Sequence, residues 1–213
     1  MQNHTNCEVQ MGNIGLKQGV QGMNSGLKLG LYGGVAVAGL MLAGAAVAGD
    51  LVVRSGQTEG PQYLSNSGDT LLIEQGGTVS NIFMNNSSQT AANNGSITTT
   101  GADADGISSN SPNAQISSSG SITTAGDRGN GIRSSGESAN ITNSGIITTA
   151  GDEGHGIRSS GESANITNSG IITTTVGASH GIRSIGESAN ITNSGVIITA
   201  GVGGHGIRSS GES

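Results

Sequence analysis

Large aromatic side chains are almost missing from this chain: among 213 residues there are one Phe, two Tyr and no Trp. An ordinary core of that size takes much of its buried area from such residues, so the shortage argues against one compact globular core. Cysteine is just as scarce. The only one, Cys7, lies in a segment expected to be removed, which excludes disulfides and a cysteine-based zinc site from the remainder. Charge is sparse, with 8 Lys+Arg against 14 Asp+Glu and a net of −6, scattered rather than in blocks. That is not the basic footprint of a nucleic-acid binder. The calcium-binding GGxGxD pattern does not recur. Acids sit in turns such as Gly126-Asp127-Arg128 and Gly151-Asp152-Glu153, not in the converging sets that catalysis by carboxylates requires. The expectation is a protein without enzymatic activity and without a cofactor.

What the chain has instead is glycine, 39 residues of it, and repetition. Ile132 to Thr149 reads IRSSGESANITNSGIITT, and Ile157 to Thr174 reads the same. Ile182 to Thr199 repeats it with Ile185, Val196 and Ile198 as the only changes, and GIRSSGES opens once more at Gly206. A fixed period of 25 residues is the signature of a solenoid. Glycine-rich low-complexity tracts need no apolar register, whereas here isoleucine recurs in strict columns. The columns are Ile82, Ile107, Ile132, Ile157, Ile182 and Ile207; Ala91, Ile116, Ile141, Ile166 and Ile191; and Ile97, Ile122, Ile147, Ile172 and Ile197.

Each isoleucine sits in a short β-prone run bounded by Gly, Ser or Asn, such as GIRSSG, ANITNSG and GIITTAG. The apolar residues lack a 3.6 period, so helices are not expected. Three runs per period describe a coil with three faces, each pointing one isoleucine inward. Burying three isoleucines cannot offset the entropy of ordering a whole coil, so a coil must stack on its neighbours to exist. The predicted fold is all-β: a right-handed parallel β-helix (β-solenoid) of about five 25-residue coils with three short strands each. Coils are placed at 81–105, 106–130, 131–155, 156–180 and 181–205, with an incomplete one from 206.

Ahead of the coils lie two other segments. Lys17 and Lys28 precede an uncharged run from Leu29 to Gly49, and Ala46-Val47-Ala48 supplies the small-x-small pattern of a signal-peptidase site. Residues 1–48 are therefore read as a signal peptide or leader, with an uncleaved anchor as the alternative. Residues 49–80 are read as an N-terminal cap or degenerate coil, with Leu71 to Ile73 as a strand and Gly76-Gly77 as a turn.

Repetition turns every polar residue into a column. Arg133, Arg158, Arg183 and Arg208 form one, and Glu137, Glu162, Glu187 and Glu212 another. Like charges ~5 Å apart in water repel by ~0.8 kcal/mol, which the opposite column offsets if side chains cross the turn between them. The expectation is a solvated ion-pair ladder; a stripe docking a ligand or host surface is the functional alternative. His155, His180 and His205 stack as a third column, with Asp105 and Asn130 at the equivalent places before them. Imidazoles at this spacing could share a metal, but each precedes a Gly in a loose turn, so exposed turn residues are expected. The Arg, Glu and His columns together are the candidate interaction surface. Asn143, Asn168 and Asn193 are expected to bond one another along the axis. Thr99, Thr124, Thr149, Thr174 and Thr199 share the inward parity of the third isoleucine column. Their outward neighbours mix Ser, Thr, Ile, Val and Ala, which is not the uniform threonine face of an ice-binding solenoid.

The leader ending AAVAGD, the cysteine-free remainder and the units of the form NITNSGIITTAGDxGxGI together resemble the passenger region of a bacterial autotransporter (type V secretion) adhesin. The resemblance spans roughly residues 29 to 213. It implies export, passage through an outer-membrane barrel, and display of a rod of coils at the cell surface or its release outside the cell. Its implied partners are a host-cell or matrix surface, or other copies of itself, with no nucleic acid. No C-terminal β-barrel follows the coils, so the chain is expected to be a fragment that touches a membrane only through a missing barrel. The expected role is a structural stalk or adhesin. A polysaccharide-active β-helix enzyme whose catalytic part is missing is the alternative, and an ice-binding solenoid a more distant one.

Overall fold

A computed structural model describes residues 49–211. The expected leader, residues 1–48, and Glu212 of the glutamate column lie outside them. Among the described residues every regular element is a strand, and no helix is long and apolar enough to cross a membrane.

The strands fall into three parallel sheets, each 7-stranded. The first sheet stacks Asp50–Val53, Thr70–Ile73, Thr90–Asn93, Gln115–Ser118, Asn140–Asn143, Asn165–Asn168 and Asn190–Asn193. The second stacks Thr58–Glu59, Thr78–Val79, Ser96–Thr99, Ser121–Thr124, Ile146–Thr149, Ile171–Thr174 and Val196–Thr199. The third runs from Gln62–Leu64 and Ile82–Met84 through Ile107–Ser109, Ile132–Ser134, Ile157–Ser159 and Ile182–Ser184 to Ile207–Ser209. The chain visits the sheets in rotation, so every strand pairs with the strands one coil before and one coil after. The fold is a β-solenoid, as the repeat requires.

Register follows the repeat. Ile132 pairs with Ile157, Ile141 with Ile166, and Ile147 with Ile172. Alternation along each strand then sets the core, because successive side chains point to opposite faces. In Ile146–Thr149 the residues Ile147 and Thr149 are buried, while Ile146 is 50% exposed. All three isoleucine columns form one continuous apolar pillar, joined by Leu71, Ile73 and Met84 below. In the last described coil Ile191 and Ile197 are only partly buried, and Ile207 is exposed. Ala91 fits the second column because it pairs with Leu71 on one side and Ile116 on the other.

The inward Thr and Asn columns bond locally, whereas the buried hydroxyls of Ser134, Ser159 and Ser184 have no partner among the described residues. Thr124 donates its hydroxyl to the carbonyl of Gly129 at 3.1 Å, and Thr149 does the same to Gly154 at 3.1 Å. Asn143 Nδ2 donates to Asn168 Oδ1 at 2.8 Å, and Asn168 Nδ2 to Asn193 Oδ1 at 2.7 Å, which is the expected amide ladder.

Residues 50–79 are neither a lid nor an appendage, since they supply strands to all three sheets. Their coils are shorter: Asp50 pairs with Thr70 and Thr70 with Thr90, a register of 20. From Ile82 onward the register lengthens to 25, as Ile82 pairs with Ile107. The added length lies at the corner between the second and third sheets. There Glu59 and Gln62 are separated by two residues, whereas Thr149 and Ile157 are separated by seven, Ala150–Gly156. The long corner carries Asp105, Asn130, His155 and His180.

Candidate functional site

The long corners stack into a groove of about 450 Å³ running along the solenoid. Its wall joins the Arg column of the third sheet to the His column of the corner, with Asp103, Asp105, Arg128 and Asn130 at the end nearer the N-terminus.

The histidines are placed differently from the sequence expectation. They are not exposed: His155 is 3% and His180 2% accessible, and only His205, in the last described coil, faces solvent. The reason is a side-chain ladder that a coil cannot make alone. Asp105 Oδ1 accepts the backbone N–H of Asn130 at 2.9 Å, and Asn130 Oδ1 accepts that of His155 at 3.1 Å. His155 Nδ1 then accepts the N–H of His180 at 3.0 Å, and His180 Nδ1 that of His205 at 3.0 Å. Aspartate, asparagine and histidine share one property at this position, a short-reach acceptor that closes the amide of the coil above. The imidazoles also stack, with centroids 5.0 and 5.1 Å apart.

Burial determines the charge of these rings. It lowers the His155 pKa to about 3, helped by His180 and by Arg183, Arg158 and Arg208. His180 is lowered by burial and by His205, Arg208 and Arg183. Both rings are neutral at pH 7. Burial also raises the carboxyl of Asp105 against the lowering effect of Asn130 and Arg133.

The arginines turn toward the histidines rather than the glutamates. Arg183 Nη1 lies 3.1 Å from His155 Nε2, and Arg208 Nη1 lies 3.4 Å from His180 Nε2. Arg133 Nη1 reaches Asp105 Oδ2 at 3.9 Å, and at the rim Arg128 grips Asp103 at 2.7 and 2.8 Å. Arg133, Arg158 and Arg183 are half-buried along the wall. Glu137, Glu162 and Glu187 stay exposed at the corner between the third and first sheets. Among the described residues no ion pair links the two columns, so the expected Arg–Glu ladder is replaced by an Arg–His wall. Backbone geometry accounts for the separation. The neighbouring Ser138, Ser163 and Ser188 adopt left-handed φ of 55, 54 and 54°, and the peptide of each Glu is tied into the corner through its carbonyl, as in Ser138 N–H to Glu162.

No protein-family model, curated protein or solved structure matches the chain.

The proposed interaction set thus divides: the structure brings Arg and His columns together and leaves the Glu column apart. Sequence inspection missed the pairing because Arg183 lies 28 residues after His155, one coil plus three. Neither column reveals that offset on its own. Asp103 and Arg128 were missed for a similar reason, being one coil apart in a region where the repeat is less exact. Chemically the wall offers hydrogen-bond donors and positive charge. Each Nδ1 lone pair of His155 and His180 is already engaged, and among the described residues no three His, Cys, Asp or Glu side chains converge as metal ligands. The outward neighbours in the second sheet, Ile146, Ile171 and Val196, are exposed aliphatics.

Proposed function

We propose that the chain is the passenger β-helix of an autotransporter-type surface protein, acting as a structural stalk or adhesin outside the cell and not as an enzyme. The observation that carries this reading is the uninterrupted stack: residues 82–209 run coil on coil in one register, with no inserted loop between strands longer than the seven-residue corner. A rod grows by adding identical coils, whereas an active site requires some coils to differ from the rest. The near-identity of the coils from Ile132 onward therefore favours a spacer that presents one surface many times. A chain that holds its shape through local stacking, with its only cysteine at Cys7, also suits threading through a pore before folding. Residues 1–48 supply the export signal in this reading, and an outer-membrane barrel supplies display.

Accessibility of the repeat on intact cells tests this. Antibody raised against the coils should label unpermeabilised cells of the producing organism, or find the protein in its medium, and external protease should remove the label. Confinement of the protein to the cytoplasm would overturn the proposal.

A further inference from the structure

The wall of the groove holds hydrogen-bond donors that no described residue accepts. Nδ1 of His155 and of His180 receives a backbone N–H, so each neutral ring carries its hydrogen on Nε2. Those Nε2 atoms face Arg183 Nη1 at 3.1 Å and Arg208 Nη1 at 3.4 Å. Guanidinium has donors and no acceptor, so both contacts set N–H against N–H. Beside them the buried Nε atoms of Arg158 and Arg183 have no partner among the described residues. Buried donors are ordinarily satisfied, and these, unlike the unpartnered hydroxyls of Ser134 and Ser159 inside the coil, line a groove that an acceptor from outside can enter.

The first long corner shows which acceptor fits. There the position is Asp105, whose carboxylate accepts from Asn130 and lies 3.9 Å from Arg133. Arg133 follows Asp105 by the same 28 residues that separate Arg183 from His155 and Arg208 from His180. Where the corner holds Asp, the arginine one coil on finds a carboxylate within the chain. Where the corner holds His, a second donor stands in its place and the arginine remains open.

We propose that Arg158, Arg183 and Arg208, backed by His155 and His180, form a row that binds oxyanions, carboxylate or sulfate groups, one above another at the coil spacing of ~4.8 Å. The planar guanidinium fork matches such groups in shape and charge. Acids nearby do not fill the row: Asp103 is held by Arg128, Asp105 by Asn130 and Arg133, and Glu153 is exposed. Arg158 pairs in register with Arg183, and Arg183 with Arg208, so the cations are aligned along the axis. A linear acidic glycan and free inorganic anions share this chemistry, and the glycan alone can span several coils at once. The inference stands on the groove and not on where the protein is displayed.

Calorimetric titration of the full chain in ~0.15 M salt, with dextran sulfate, polygalacturonate, uncharged dextran and inorganic sulfate, tests the row. Dextran sulfate and polygalacturonate should bind and dextran should not. The Arg158→Gln/Arg183→Gln variant should weaken binding by about tenfold or more, the loss expected when charge-assisted hydrogen bonds are removed. The His155→Asp/His180→Asn variant should do the same while folding normally, because it copies the Asp105–Asn130 pair. Glu137→Gln/Glu162→Gln, outside the groove, should change nothing beyond twofold. Inorganic sulfate binding as tightly as either polymer, and lost in the same variants, would support the oxyanion row and assign it to free anions. Unaltered polymer binding by the folded Asp/Asn variant, binding of plain dextran, or no binding of any anion would each overturn the proposal.

Discussion

His155 Nδ1 accepts the backbone N–H of His180 at 3.0 Å, so the histidine of one coil closes the amide of the next. Protonation of His155 would remove that acceptor and bury a charge beside Arg158 and Arg183. The folded-state pKa, about 3, lies below the ordinary value of ~6.5, so between these values the unfolded chain binds more protons than the folded one. Stability is therefore full above pH ~6.5 and falls as pH drops toward 3, by up to ~1.4 kcal/mol per pH unit from this one ring. Urea denaturation of the protein between pH 8 and 4 should show the decline. Replacing His155, His180 and His205 together by Asn, the residue already present at Asn130, should keep the ladder and flatten the profile above pH 5. A profile equally steep in the Asn variant would contradict the assignment.

Strand parity separates two neighbouring classes of isoleucine. Ile157 is 0% exposed in the pillar, and Ile146 is 50% exposed on the outer face. Truncation of Ile157 to Ala should cost ~2–5 kcal/mol, while Ile146→Ala should stay within ~0.5 kcal/mol. Chemical denaturation of the two variants is a direct comparison, and equal costs would mean the parity is wrong.

The amide ladder depends on each member. Asn168 accepts from Asn143 and donates to Asn193, at 2.8 and 2.7 Å, inside the coil. Asn168→Ala leaves a buried Asn143 donor without its acceptor, for an expected loss of ~1–3 kcal/mol. Asn168→Ser should recover part of it, since Ser118 Oγ already accepts from Asn93 at the same position two coils earlier. Identical losses for Ala and Ser would show that the ladder contributes nothing.

Glycine at the end of the long corner is required by contact, not by backbone conformation. A Cβ on Gly156 would overlap Ile172 Cγ2 and lie 2.6 Å from the carbonyl of Gly181. At Gly101 the nearest atom would be Ala104 Cβ, at 3.6 Å. Gly156→Ala should therefore destabilise by ~1–3 kcal/mol, and Gly101→Ala by little, in the same denaturation assay.

The strands, their rotation through three faces and the inward columns were readable because each depends on a residue meeting its own copy one coil away. Ile132, Ile141 and Ile147 report that environment directly. The short coils before Ile82 were harder to see, since without the seven-residue corner Leu71 and Val79 fall out of the 25-residue frame. The groove was least legible. Its contacts join His155 to Arg183 across a coil boundary, and the burial of His155 arises only when a corner of seven residues is stacked on others like it. Turn composition suggested solvent, while the accessible geometry of the stack excludes it.

Cross-linking tests the stacked register most directly. With Cys7 replaced by serine the full chain has no thiol, and Thr142 and Thr167 are exposed register partners on adjacent coils of the first sheet. Neighbouring parallel strands ~4.8 Å apart place Cα atoms within disulfide range, whereas two coils exceed it. A Thr142→Cys/Thr167→Cys variant should oxidise readily to an intramolecular disulfide, and Thr142→Cys/Thr192→Cys should not. Equal oxidation of the two pairs, or failure of the first, would contradict a solenoid of 25-residue coils.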